Sequence, residues 1–275
     1  MNSKVSIIIP CFNDAAFIEM AIESARAQNI QNKEIIVVDD GSNLQTKEIL
    51  NNLRNKVDLI ITQENNGVSA ARNTGIKRST GDFILVLDSD DYFEPDFCKK
   101  ALNIFETLKN ICLVTCYARW FDEKNNFKIH KPIGGDLNNF LFRNCALSNS
   151  MFYKKDWKSI GGYDESMKLG WEDWEFFIRL HKKNGYTYVI PEVLFNYRRK
   201  KNSKTTVANL NKYDLLNYIL RKHSALYKDN FPETIDNLIN KLKKEEAHRK
   251  RNEKKFEYRV GYFLLSPVRM FRNLF

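Results

Sequence analysis

The strongest constraint in this chain is a rhythm over its first 90 residues, where short apolar runs alternate with stretches of helical periodicity. Residues 5–9, 34–39, 59–62 and 83–87 are runs of strand length, rich in Ile and Val. Between the first two, Ile18, Ala21, Ile22 and Ala25 fall at i, i+3, i+4 and i+7, one face of a helix that Asn13 or Asp14 can cap. A second helix carries Ile49, Leu50 and Leu53, and a third runs from the Asn65-Asn66-Gly67 turn through Ile76. Strands that are apolar on both faces and separated by helices form a parallel sheet covered on both sides. The expected fold is therefore α/β and doubly wound, with a mostly parallel sheet.

In such sheets ligands gather beyond the carboxyl ends of the strands. The polar residues of this chain obey that rule. Pro10-Cys11-Phe12-Asn13 follows the first strand, Asp39-Asp40-Gly41-Ser42 the second, and Asp88-Ser89-Asp90-Asp91 the fourth, so three polar loops are expected along one sheet edge. Three acidic groups within four residues repel one another unless something neutralises them. Carboxylates suit hard divalent ions such as Mn²⁺ or Mg²⁺, which commonly bridge to a diphosphate. A plain acidic turn capping the next helix is the competing explanation, and Asp91 is assigned to it.

Further along, strands are expected at residues 113–116, 127–129 and 144–152. Gly161-Gly162-Tyr163-Asp164 marks a tight turn. Trp171, Glu172, Asp173 and Trp174 open a helix that runs through His181 and is closed by Gly185. Two short strands flank Pro191, and helices are expected over residues 210–227 and 232–255.

Six segments together resemble the family 2 glycosyltransferases of the GT-A fold over about residues 4–200. They are residues 5–13, Val37-Val38-Asp39-Asp40-Gly41-Ser42, Gly67-Val68-Ser69-Ala70-Ala71-Arg72-Asn73, Leu87-Asp88-Ser89-Asp90-Asp91, Gly161-Gly162-Tyr163-Asp164-Glu165 and Glu172-Asp173. The resemblance implies an inverting transfer of sugar from a nucleotide-sugar donor, a UDP-sugar, to an acceptor hydroxyl. It further implies that Asp40 accepts from the uracil ring in a pocket lined by Pro10 and Phe12, where the family more often has Tyr in place of Phe12. Asp88 falls near the ribose and donor sugar, Asp90 is the principal ligand of Mn²⁺ or Mg²⁺, Arg72 contacts donor, and Asp173 is the general base. Trp171 and Glu172 are placed on the acceptor side. Lys200 stands where a similar family segment carries a histidine near the diphosphate, and a lysine there binds phosphate as a point charge.

Domain boundaries follow from the same pattern. Residues 1–200 form the catalytic domain, with 1–110 as the nucleotide-binding half and 111–200 as the acceptor half, and residues 201–275 form a basic helical extension. The chain carries a net charge of +10, unevenly spread. Residues 198–275 hold 20 Lys+Arg against 8 Asp+Glu, a net of +12, and the first 197 residues carry −2. The basic segment runs into Phe256, Tyr258, Val260, Tyr262, Phe263, Leu264 and Leu265, with Arg259, Arg269 and Arg272 interleaved among apolar residues. That mixture suits the headgroup boundary of an anionic membrane, and the opposing explanation is a helix docked on protein. A lipid-linked saccharide acceptor, as in bacterial surface-polysaccharide synthesis, and a cytoplasmic site on the inner face of the membrane are the corresponding expectations.

Cysteines at 11, 98, 112, 116 and 145, without a CxxC pair, read as reduced core residues rather than disulfides or a zinc site. Two rival readings are a nucleotidyltransferase acting on sugar phosphates and a basic nucleic-acid- or membrane-binding protein without catalysis. The first lacks a Gly-rich phosphate loop near residues 10–13, and the second leaves the acidic loops unexplained. Nucleic acid is therefore not an expected partner.

Overall fold

The computed structural model describes residues 3–122, 124, 126–200, 204–256, 260 and 264. The chain divides into two compact units, Met1–Ile219 and Leu220–Phe275. The first begins with β1 (Val5–Cys11), α1 (Ile18–Arg26), β2 (Lys33–Asp40), α2 (Leu44–Asn52), β3 (Leu59–Gln63), α3 (Val68–Arg78) and β4 (Phe83–Val86). It continues with β5 (Tyr92–Phe93), α4 (Phe97–Thr107), β6 (Ile111–Phe121), β7 (Phe127–His130), α5 (Leu137–Phe142), β8 (Met151–Tyr153), α6 (Lys154–Ser159), α7 (Glu172–His181), β9 (Tyr186–Arg198) and α8 (Lys204–Leu210).

One sheet runs β3-β2-β1-β4-β8-β6-β9-β5, with β7 added beside β6. The first four of these strands are parallel. Because β8 is antiparallel to both β4 and β6, and β9 is parallel to β6, the carboxyl ends of β1, β2, β4, β6 and β9 share one edge. This is the α/β, doubly wound sheet expected from the apolar rhythm. Side-chain alternation along β1 explains the two layers: Val5, Ile7 and Ile9 join Ile18, Ala21 and Ile22 of α1 in the core. Ile8 points to α3 on the other face, where Gly75 lets the helix approach so closely that an added Cβ would stand 2.6 Å from Ile8 Cγ2.

Several local expectations are corrected. Neither Asn13 nor Asp14 caps α1 with its side chain. Asn13 adopts φ 57° and its Oδ1 accepts from the Asn43 N–H, while Asn43 itself caps α2 by accepting from the Thr46 N–H. The expected strand over 144–152 shrinks to β8; just before it the Asn149 side chain accepts from the Asp88 N–H and the Ser150 hydroxyl donates to the Leu147 carbonyl. The two strands around Pro191 are one strand, β9, whose register against β6 jumps from Ile190 to Val193. A bulge there removes the ladder position at which proline has no N–H to give.

The expected helix over 210–227 is two pieces, α9 (Lys212–Lys222) and α10 (Ser224–Asp229), preceded by α8, which ends at Leu210. In the second unit, α11 (Phe231–Glu253) carries exposed Phe231, Ile235, Leu238 and Leu242 at helical spacing. Among the described residues no helix is long and apolar enough to cross a membrane. Most of the interleaved tail, including Tyr258, Arg259, Tyr262, Phe263, Leu265, Arg269 and Arg272, lies outside the described residues. All five cysteines are free and buried, and burial pushes their thiols above the ordinary value, as core residues rather than nucleophiles.

Candidate active site

The loops after β1, β2 and β4 meet along the shared edge. Asp40 ends β2 almost fully buried, and its Oδ1 accepts from Gln63 Nε2 at 2.7 Å and from the Asn66 N–H at 3.0 Å. Its Oδ2 accepts from the Gly67 N–H at 2.8 Å. Gly67, at φ 92°, is the N-cap position of α3, so a carboxylate from the neighbouring strand satisfies donors at the start of that helix. Pro10 lies buried in β1 opposite Val38, and two residues on Phe12 leaves 46% of its surface exposed, an apolar face at the mouth of this corner.

Arg72 projects from α3 and is buried to 2% exposure. Its guanidinium donates to Asp88 Oδ1 and to Glu172 Oε1, each at 2.9 Å, and lies 5.4 Å from the Tyr163 ring. Burial works against this charge, but Asp88 and Glu172 outweigh it and hold Arg72 above its ordinary value. One cation thus ties the β4 loop to the first turn of α7. Asp88 is fixed a second time by Asn149, which accepts from the Asp88 N–H at 2.7 Å and donates Nδ2 to Oδ2 at 3.3 Å.

The other two carboxylates of the acidic loop have separate partners. Asp90 Oδ2 lies 2.8 Å from Lys200 Nζ, and the same ammonium is 2.7 Å from Asp14 Oδ1. Desolvation pushes the Asp90 carboxyl above the ordinary range although Lys200 opposes it. Asp91 does not cap the next helix, as the sequence suggested: it is fully buried and its Oδ1 accepts from the Arg198 N–H at 2.7 Å. Burial and the charges of Asp90 and Asp88 push its carboxyl well above the ordinary range. Its place is that of an anchor between the β4 loop and the end of β9.

Asp173 sits half-buried in the first turn of α7. Its Oδ2 accepts from Asn144 Nδ2 at 2.8 Å and its Oδ1 from the Trp174 N–H at 2.8 Å. Burial and the charge of the adjacent Glu172 push it above the ordinary carboxylate value. Trp171 adopts the left-handed conformation at φ 60° and meets Trp174 edge to face at 5.2 Å. Trp174 is buried and its indole N–H donates to the Phe140 carbonyl. Glu172, placed on the acceptor side from the sequence, is buried and directed to Arg72.

The structure therefore gathers Asp88, Arg72 and Glu172 on one guanidinium, with Asp173 next along the helix, and gathers Asp90 and Lys200 in a second group. Asp14, Asn144, Asn149 and Arg198 complete these groups without having been singled out as site residues. Only Arg198 carried a sequence signal, beside Lys200 in the segment that follows Tyr197. Among the described residues no three His, Cys, Asp or Glu side chains converge to hold a metal ion. Asp90 and Asp14 are hard oxygen donors on one cation position, which fits an Mg²⁺-type ion completed by water and substrate phosphate.

Residues 6–202 match the family model for glycosyl transferase family 2. The chain belongs to the family 2 glycosyltransferases. An uncharacterised glycosyltransferase of Haemophilus influenzae is 40% identical over 114 residues, 40% of this chain and 45% of its own length. One of Rickettsia typhi is 31% identical over 230 residues, 77% of this chain and 70% of its own length. The crystal structure of S. aureus TarS residues 1–349 in complex with UDP-GlcNAc superposes with a TM-score of 0.61 at 21% identity, over 74% of this chain and 60% of that one. The matched fold is the GT-A-like sheet anticipated from the sequence, and as a glycosyltransferase the chain is an enzyme rather than a binding protein. Its match spans less than two thirds of the Haemophilus relative and of the TarS chain.

Proposed function

We propose that this glycosyltransferase moves a sugar from a UDP-sugar to an acceptor hydroxyl with inversion at the anomeric carbon, Asp173 acting as general base. The observation that carries this reading is the Arg72 bridge, which joins the donor-side carboxylate Asp88 to the turn that presents Asp173. The complex of TarS with UDP-GlcNAc supports the choice of a uridine nucleotide.

In this reading Pro10 and Phe12 flank the base, and Asp40, held in place by the Asn66 and Gly67 amides, accepts from the uracil ring. Asp88 faces the ribose and donor sugar, with Arg72 fixing its direction. Trp171 offers an apolar face to the acceptor, and Glu172 acts on that side by positioning Asp173 through Arg72. The raised value of Asp173 suits a base that must take a proton from a hydroxyl near neutral pH. Lys200 supplies a point charge to the diphosphate. Asp90 with Asp14 would hold Mn²⁺ or Mg²⁺, which when bound would offset the negative charge of the diphosphate without proton transfer.

The acceptor is assigned as a lipid-linked saccharide in surface-polysaccharide synthesis, reached by an enzyme that stays on the cytoplasmic face of the membrane. The net +12 of residues 198–275 and the exposed apolar residues along α11 support an anionic membrane surface as partner. A panel of nucleotide sugars assayed for UDP release, with product configuration read by NMR, tests the central reading. Release from UDP-sugars with an inverted product supports it, and a retained configuration overturns it. Co-sedimentation with anionic vesicles, with duplex DNA as the competitor, tests the membrane assignment; binding to DNA alone overturns it.

A further inference from the structure

Lys200 ties together two loops of the candidate site. Its Nζ stands between two carboxylates that come from different loops, Asp14 after β1 at 2.7 Å and Asp90 after β4 at 2.8 Å. The ammonium also lies 4.6 Å over the Phe17 ring, and the chain leading to it is fixed upstream, where the Arg198 N–H and Nε bond Asp91 and the Asp90 carbonyl. Asp14 is steadied from its other oxygen by the Ser89 hydroxyl at 2.6 Å. Two carboxylates that would otherwise repel each other are thus brought onto one cation, and that cation belongs to the protein.

We infer that Lys200 is the resident counter-ion of Asp90, and that a divalent cation reaches Asp90 only by displacing it. This rests on the assignment of Asp90 as the metal ligand. The ammonium holds Asp90 Oδ2 and Asp14 Oδ1, so an ion bridging the two carboxylates through these facing oxygens competes with it directly, and no third protein carboxylate, His or Cys converges there among the described residues to offset the loss. A divalent ion beside an undisplaced lysine would also meet a like charge. A nucleoside diphosphate changes the balance twice. Its oxygens give the ammonium another anionic partner, and they fill metal coordination positions that protein ligands leave open. Metal binding and nucleotide binding are therefore coupled through Lys200, and the coupling is reciprocal.

The test is Mn²⁺ binding followed by the electron paramagnetic resonance signal of the free ion, with and without UDP, on the full chain at fixed ionic strength. The wild-type protein is expected to bind Mn²⁺ weakly alone and at least about tenfold more tightly with UDP. Lys200→Gln and Lys200→Met are expected to bind Mn²⁺ alone at least about tenfold more tightly than wild type, with a smaller effect of UDP. Adding Asp90→Asn to Lys200→Gln should remove the gain, which assigns it to this site. Equal Mn²⁺ affinities of wild type and both variants without UDP, or no measurable binding in any of them, overturn the inference. The nucleotide-free arm separates it from the catalytic reading: a gain of Mn²⁺ binding in a chain that releases no UDP from any sugar nucleotide retains the role of Lys200, and equal affinities in an active transferase reject that role alone.

Discussion

Asn144 donates its side-chain amide to Asp173 Oδ2 at 2.8 Å, so the proposed base is oriented by a residue 29 positions earlier in the chain. The bond favours the charged carboxylate and opposes the upward push of burial and Glu172. Removing it in Asn144→Ala should raise the Asp173 value further and move the acid limb of the kcat/KM profile to higher pH. The same loss of orientation should lower kcat by about tenfold, the equivalent of one hydrogen bond to a charged group. The pH profile of UDP release measures both. An unchanged acid limb means that Asn144 does not orient the base.

Arg72 holds Asp88 and Glu172 together while nearly excluded from water. Replacing it by Met leaves two carboxylates facing each other without their cation, a change that typically costs about 3–5 kcal/mol when a buried pair is broken. Arg72→Met should lower the midpoint of urea unfolding accordingly. Adding Glu172→Gln should recover part of the loss, since the stranded charge is then gone. Unfolding curves of the single and double variants measure the coupling directly.

His181 is fully buried in α7, stacked on Phe140, with Nδ1 at 2.6 Å from the Phe177 carbonyl and Nε2 at 2.8 Å from the Thr187 hydroxyl. Desolvation pushes its value down to about 4, so the imidazole is neutral in the folded protein, donating from Nδ1 and accepting at Nε2. The unfolded chain takes up the proton near the ordinary 6.5 and the folded chain only near 4. Stability from this group is thus complete above about pH 6.5 and is lost as pH falls toward 4, by about 3 kcal/mol in all. Unfolding free energies of wild type and His181→Gln across that window should differ in slope, the variant being flatter.

The core was legible because its signal is local. The apolar runs at residues 5–9, 34–39 and 83–87 are the strands β1, β2 and β4, and their carboxyl ends share the edge that the polar loops predicted. What escaped was fixed by partners distant in sequence. Asp91 resembled a helix cap, but Arg198, 107 residues later, holds it. Asn149 sits in a stretch that looked extended, yet its side chain is spent on Asp88, 61 residues earlier. Asp14 looked like a cap for α1 and instead shares an ammonium with Asp90. No window of sequence contains both members of any of these pairs, and their chemistry is ordinary enough that neither member announces the other.

The assignment of Asp173 as the base is the centre of this account, and Asp173→Asn tests it with the least disturbance of shape. The variant keeps an oxygen to accept from Asn144 but cannot take a proton from an acceptor hydroxyl. Single-turnover transfer and UDP affinity should be measured on the same preparation. Transfer is predicted to fall by about 10² or more while UDP affinity changes by less than about threefold; wild-type transfer by Asp173→Asn contradicts the account.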